Sequence, residues 1–144
     1  MSYTASGVRV RIGEATLLDD VSIEVAAGEV VAVAGPNGAG KSTLLAVLAG
    51  DRVPSAGTVT LDDRALSAWS KVELAHRRAV MGTDRAVAFA FSAREVAMLG
   101  RMPLHGGRPD GVDEAVIDEL LEAVDCTDLA GRVYATLSTG ERQR

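Results

Sequence analysis

The chain has 144 residues, 47% of them hydrophobic and 24% charged, with a formal net charge of −5. That balance is globular rather than disordered, no apolar run approaches the roughly 18 residues of a membrane-spanning helix, and the scattered basic residues mark no nucleic-acid surface. Cys126 stands alone, which excludes an internal disulfide, and the polar stretch Met1 to Gly7 lacks a signal-peptide apolar region, so a cytoplasmic protein is expected.

Val8, Val10 and Ile12 alternate, as do Val21, Ile23 and Val25, with Gly13-Glu14 between the two sets; residues 3–27 are therefore predicted to form a two-stranded ribbon with one buried face. Val30, Val31, Ala32, Val33 and Ala34 form an unbroken apolar run, which predicts a strand buried on both faces of a parallel sheet. After the glycine-rich stretch that follows, Leu44, Leu45, Val47 and Leu48 recur at helical spacing, with Gly50 as the stop. Val59 and Leu61 predict a short strand ended by a turn at Asp62-Asp63.

Trp69 to His76 reads as helical and Ala79 to Met81 as a candidate strand. Ser92 opens a helix towards Gly100 with Glu95 as its capping-box partner, and Pro103 to Asp110 is loop. Val112, Val116, Ile117, Leu120, Leu121 and Val124 trace one face of a further helix, with Asp113, Glu114, Asp118, Glu119 and Glu122 expected outside it. Cys126 is expected as packing filler, and His76 and His105 as exposed polar residues without a metal partner.

Two motifs carry chemistry. Gly35-Pro36-Asn37-Gly38-Ala39-Gly40-Lys41-Ser42-Thr43 fits G-x-x-x-x-G-K-[ST], set between the predicted strand and the predicted helix. In that setting backbone N–H groups and the positive end of the helix dipole converge on a phosphate seat. Lys41 supplies a point charge for the β- and γ-phosphates, the Ser42 hydroxyl is sized to ligate Mg²⁺, and Thr43 backs it. Charge-assisted bonds of about 1.5–3 kcal/mol each, less the cost of ordering the ligand, predict ATP affinity on the order of mM to μM. The second motif, Leu137-Ser138-Thr139-Gly140-Glu141, would by itself be no more than a helix cap.

Together, GPNGAGKST at 35–43 and LSTGERQR at 137–144 resemble the nucleotide-binding domain of ABC ATPases, whose signature is usually written LSGGE or LSGGQ. The resemblance implies an α/β P-loop NTPase fold: an N-terminal antiparallel β portion with a partial parallel-sheet core over residues 1–83, a helical subdomain over 84–136, and the signature at 137–144. It also implies head-to-tail closure of two such domains, a homodimer, over two ATP molecules. Ser138 and Gly140, with Leu137, Thr139 and Glu141 around them, would then contact the γ-phosphate held by the other subunit. Partners would include transmembrane permease subunits and no nucleic acid, with the protein peripheral on the inner face of the cell membrane.

Further segments, among them Leu17-Leu18-Asp19-Asp20-Val21-Ser22, Leu66-Ser67-Ala68-Trp69, Arg78-Ala79-Val80 and Leu99-Gly100-Arg101, are similar to those of haem-importer ATPases. ATPases for ferric siderophores and cobalamin look similar too. For Trp69, Phe89 and Phe91 the reading is packing, or docking against a membrane subunit.

The chain departs from the family pattern at three positions. Ile12 stands where an aromatic residue stacks on adenine, which keeps packing but loses π-stacking. Thr83 replaces the glutamine that reaches Mg²⁺ and couples ATP to the membrane subunit, with Asp84 as the one neighbour able to substitute. Thr139 replaces the first signature glycine and adds a Cβ. The family's apolar strand ending in Asp-Glu, its Asp-containing loop and its switch histidine all follow the signature, and none precedes Arg144. The expectation is thus a truncated domain, with the C-terminal half of the core and the general base missing, that binds ATP without hydrolysing it alone. Three functional readings stay open: an ATP-hydrolysing importer subunit for haem or another iron chelate, a nucleotide-binding module without turnover, and a soluble ABC protein outside transport.

Overall fold

The computed structural model describes residues 1–81, 89–104 and 111–144, which fall into two units, Met1–Val80 and Met81–Arg144. In the first unit the alternating segments become β1 (Tyr3–Ile12) and β2 (Ala15–Val25), an antiparallel hairpin turned at Gly13-Glu14. Its register runs from Tyr3 opposite Val25 to Ile12 opposite Ala15. Val10 pairs with Leu18 but Arg11 pairs with Thr16, so Leu17 is an extra residue, a β-bulge on β2. β3 (Ala56–Leu61) pairs with the other edge of β1, and β4 (Arg64–Ala65) follows, giving the order β2-β1-β3-β4, antiparallel throughout. The Asp62-Asp63 turn between β3 and β4 places both residues at positive φ, 48° and 61°, the turn geometry that matches the twist of paired strands.

The predicted helix after the glycine-rich stretch is α1 (Lys41–Leu48). Its Leu44 and Val47 pack with Val8, Val10, Leu18 and Leu61 in one buried cluster. Each such side chain contributes about 1.5–3 kcal/mol on burial, so this face of the sheet is what holds the helix in place. The helical expectation for 69–76 narrows to α2 (Lys71–Ala75), because Trp69 is extended and Ser70 caps the helix behind it. The Trp69 ring instead lies beneath the Arg64 guanidinium, 4.4 Å from its centroid, and packs on the core.

Two predicted strands are not formed. Val30–Ala34 joins no sheet and is exposed, Val30 at 96%. A strand exists only when its backbone groups find a neighbouring ladder, and among the described residues none runs beside this segment. Ala79–Met81 is likewise outside any strand, for the same lack of a partner.

The second unit contains α3 (Ala93–Leu99), α4 (Gly111–Ala123) and α5 (Thr139–Gln143). Ser92 and Glu95 form the expected capping box at the start of α3, which ends at Gly100. α4 is the helix the periodicity predicts, but its buried side differs. Asp113, Ile117 and Leu121 point inward, while Val112 and Leu120 are 66% and 53% exposed. Asp113 is buried because Arg101 comes with it: the guanidinium Nε donates to Asp113 Oδ1 at 2.7 Å. Apolar periodicity alone hides such a residue, since a paired carboxylate can occupy a core position that an isolated one cannot. Cys126 is buried with Ile117 and Leu121, the packing role expected of it.

Candidate functional site

Of the helices whose N-caps are described, α2, α3 and α5 all begin the same way. A serine hydroxyl accepts from the N–H three residues on, and a glutamate at that third position accepts from the serine N–H, at Ser70/Glu73, Ser92/Glu95 and Ser138/Glu141. These boxes spend the orphaned donors of a helix start within the chain. The bonds also hold the glutamates ionised: the Ser70 backbone and hydroxyl, then Arg64, bring Glu73 down to about 2, and Glu95 and Glu141 are lowered by their own serines.

α1 begins differently. Its N-cap is Gly40 in the left-handed conformation, φ 86°, with no side-chain cap. Leu44 N–H returns to Gly40 O at 2.8 Å, but among the described residues the N–H groups of Gly40, Lys41, Ser42 and Thr43 donate to nothing in the chain. Four donors at the positive end of a helix thus face outward, the arrangement that receives an anion. Gly38, φ 84°, turns the loop in front of them. The loop is braced from within, since Lys41 Nζ donates to Gly35 O at 2.7 Å and Pro36 O at 2.6 Å. An ammonium has three donors, so one remains for a ligand oxygen.

The base of the loop rests on the hairpin. Gly40 lies against the Leu17 carbonyl and the Leu18 side chain, so the bulge in β2 backs the helix start. Sequence reasoning met Leu17 only inside a segment of family likeness and gave it no place at the site, because the bulge it forms depends on the pairing of β2 with β1. The structure therefore brings Gly35 to Thr43 together with β2, and places Ile12 at the tip of the same hairpin, 52% exposed. Ser42 is exposed in the first turn of α1, and among the described residues its hydroxyl has no hydrogen-bond partner.

Among the described residues no group of three His, Cys, Asp or Glu gathers to hold a metal. A site built from one hydroxyl fits Mg²⁺, which keeps several waters and takes its remaining ligands from substrate phosphates. Thr83 and Asp84 lie outside the described residues, as does His105.

In the second unit Leu137 is buried and Ser138 caps α5. Ser138 Oγ accepts from Glu141 N–H at 3.2 Å, while Glu141 Oε2 accepts from Ser138 N–H at 2.7 Å. Glu141 is further lowered by Arg132 and Arg144. A carbon added at Gly140 meets nothing within 4 Å, and Thr139 is exposed, so the backbone of the motif is open to approach even with the threonine Cβ present. Among the described residues no helix is long and apolar enough to cross a membrane.

The fold is that of a P-loop NTPase of the ATP-binding cassette type. It superposes with a TM-score of 0.82 on the ATP-binding cassette MJ0796, solved as a dimer in a post-hydrolysis state with ADP and Pi, at 24% identity over 98% of this chain and 65% of that one. MJ1267, an ATP-binding cassette of an ABC transporter, gives 0.81 at 25% identity over 98% of this chain and 60% of that one.

The family model described as ABC transporter matches residues 18–144, and the chain belongs to that family. Among curated proteins it is similar to the hemin import ATP-binding protein HmuV of Streptomyces coelicolor, at 46% identity over 97% of this chain and 50% of the relative. The proteins of the same name from Rhodococcus jostii and Nocardia farcinica are 48% and 51% identical, over 100% and 89% of this chain and 49% and 44% of theirs. The chain thus spans about half the length of these relatives.

Proposed function

We propose that this chain is the P-loop-bearing part of the ATP-binding subunit of an ABC importer that moves haem or a related iron chelate. The observation that carries the nucleotide part is the uncapped start of α1, where four unspent N–H groups and Lys41 converge in a chain that caps α2, α3 and α5 with serine. Gly35, Pro36, Asn37, Gly38, Ala39 and Gly40 wrap the phosphates, and Lys41 neutralises the outer ones. Ser42, backed by Thr43, holds Mg²⁺, which when bound supplies positive charge to the β- and γ-oxygens. Ile12 lies towards the base, and Thr83 stands in the coupling position.

Leu137, Ser138, Thr139, Gly140 and Glu141 complete the site of a second copy of the chain, aiming the start of α5 at its γ-phosphate. No residue of this seat is assigned as general base, so the 144-residue chain is taken to bind ATP with Mg²⁺ without turning it over alone. The cargo reading is supported by the hemin-import names of relatives 46–51% identical. It carries with it a permease partner and a place on the inner face of the membrane.

Titrating the chain with ATP in the presence of Mg²⁺ tests the seat: saturable binding that Lys41→Ala weakens at least tenfold supports it, and equal affinity removes it. Phosphate release abolished by Lys41→Ala would contradict the expected lack of turnover. Retention of a haem permease on the immobilised chain tests the cargo and partner reading, and its absence counts against both.

A further inference from the structure

Residues 30–34 read Val-Val-Ala-Val-Ala, with no charge, no proline and no glycine among them. Their β-branched and small side chains suit a strand, yet all of them are exposed. The backbone is equally open: among the described residues, no N–H and no carbonyl of Val30 to Ala34 is hydrogen-bonded. The loop that follows leaves them untouched, because Lys41 Nζ turns to Gly35 O and Pro36 O, just past the segment. An open backbone edge is a template for another strand, and proteins guard such edges with lysine, proline or a bulge. None of these guards lies within this segment. Its flanking charge, Glu29, is folded back on its own turn, where Oε2 accepts from Ala26 N–H at 2.8 Å.

We infer that Val30–Ala34 is a self-recognition edge, through which two copies of the 144-residue chain form an antiparallel β-ladder with Ala32 on the twofold axis. The segment is complementary to itself in that register. Val31 faces Val33 of the second copy, a pair of β-branched side chains, and Val30 faces its Ala34; the smallest side chains meet at the centre. Charge selects the same direction. Antiparallel pairing brings Glu29 opposite a glycine, Gly35, whereas parallel pairing in register sets Glu29 against Glu29, and like charges directly opposite are destabilising. The ladder gives the open N–H and carbonyl groups their partners, which burial of the valines in a shapeless contact would not. Each strand keeps a second open edge, so association continues past two copies as concentration rises.

The test is run without ATP or Mg²⁺, which keeps it apart from nucleotide-dependent pairing through Leu137–Glu141. Sedimentation at rising concentration should show dimers and then larger species, with an intermolecular antiparallel β band in the infrared spectrum. Ala32→Lys sets two like charges against each other on the axis, and Ala32→Pro removes the central N–H. Each should raise the concentration for half-association at least about tenfold. Ala32 is exposed, so the melting curve of the dilute chain should not move. Cross-linking reads the register. Under mild oxidation Ala32→Cys should give a disulfide-linked dimer, since residues on the axis lie about 5 Å apart, whereas Val30→Cys, roughly 13 Å from its counterpart, should not. Cys126 is buried, and the wild-type chain serves as its control. A chain that stays monomeric throughout, association indifferent to both Ala32 variants, or Val30→Cys cross-linking as readily as Ala32→Cys overturns the inference.

Discussion

A β-carbon built on Gly40 would sit 2.6 Å from the Leu17 carbonyl oxygen and 2.7 Å from a methyl of Leu18. Both obstacles belong to the bulged strand that backs the helix start, and a backbone oxygen cannot rotate away as a side chain can. Gly40→Ala combines this clash with the cost of a left-handed alanine, about 1 kcal/mol, so a loss of roughly 2 kcal/mol or more is expected. Gly38 shares the positive φ but has nothing within 4 Å. Gly38→Ala should therefore cost only about 1 kcal/mol. Urea unfolding of the two variants measures the difference, and equal midpoints would show that the β2 bulge does not support the loop.

Lys41 is predicted to act on ligand and loop together. Its ammonium already bridges Gly35 O and Pro36 O, so Lys41→Ala removes a ligand charge and the brace at once. Lys41→Met keeps the stem without either. A charge-assisted bond of about 1.5–3 kcal/mol corresponds to at least a tenfold drop in ATP affinity for both variants. Calorimetric titration reads it directly.

Glu73 gives a pH prediction with a definite sign. Its carboxyl lies at about 2 rather than the ordinary 4.5, held down first by the Ser70 backbone N–H, then by the Ser70 hydroxyl and Arg64. A group whose folded value is depressed stabilises the fold fully above its unfolded value, and that contribution is lost as pH falls towards the folded one. The cap on α2 should thus be intact at pH 5 and weaken between about pH 4.5 and pH 2. Carboxyl carbon chemical shifts followed through that window should place Glu73 well below the ordinary 4.5; titration near 4.5 would mean that the box is not formed in solution.

The motifs were legible because their information is local. The glycine pattern, the Ser92–Glu95 box and the Ser138–Glu141 cap specify backbone geometry within four to nine residues, and α1, α3 and α5 begin where those residues say, whereas the equivalent Ser70–Glu73 box was overlooked and α2 was begun too early, at Trp69. Val30–Ala34 was misread because apolar composition says what a segment would do beside a sheet and not whether a neighbour lies there; here Val30 is 96% exposed. Asp113 was misread for the opposite reason. Its partner, Arg101, is twelve residues away, and no periodicity within α4 records it. The place of Leu17 at the site was missed because a bulge depends on the register of two strands together.

The Arg101–Asp113 pair leads to a stability prediction. Asp113 is fully buried, with Arg101 Nε at 2.7 Å, and Arg101 is itself mostly covered. Removing Arg101 takes a close counter-charge from a buried carboxylate, at a cost of up to about 3 kcal/mol, whereas replacing both residues with apolar groups costs less. Arg101→Met should lower the denaturation midpoint markedly, and the double variant Arg101→Met, Asp113→Leu should recover much of it. Additive losses in the double-mutant cycle would show that the pair is not coupled.

Ser138 and Ser92 allow capping to be separated from a role in a shared site, because they cap α5 and α3 through the same bonds. In each, the serine Oγ accepts from a glutamate N–H at 3.2 Å and the serine N–H donates to that glutamate at 2.7 Å. Serine to alanine at either position removes a cap of about 1 kcal/mol, so thermal stability should fall by similar amounts. The hydroxyls differ in one respect: Ser92 Oγ also donates to Glu95 Oε2, whereas no bond of that kind joins Ser138 Oγ to Glu141. A hydroxyl proton not spent at home is available to a phosphate oxygen brought by another copy of the chain. In sedimentation runs with ATP and Mg²⁺, Ser138→Ala is therefore expected to abolish nucleotide-dependent dimers, and Ser92→Ala to leave them in place. If both variants dimerise equally well, Leu137–Glu141 is a helix cap and nothing further.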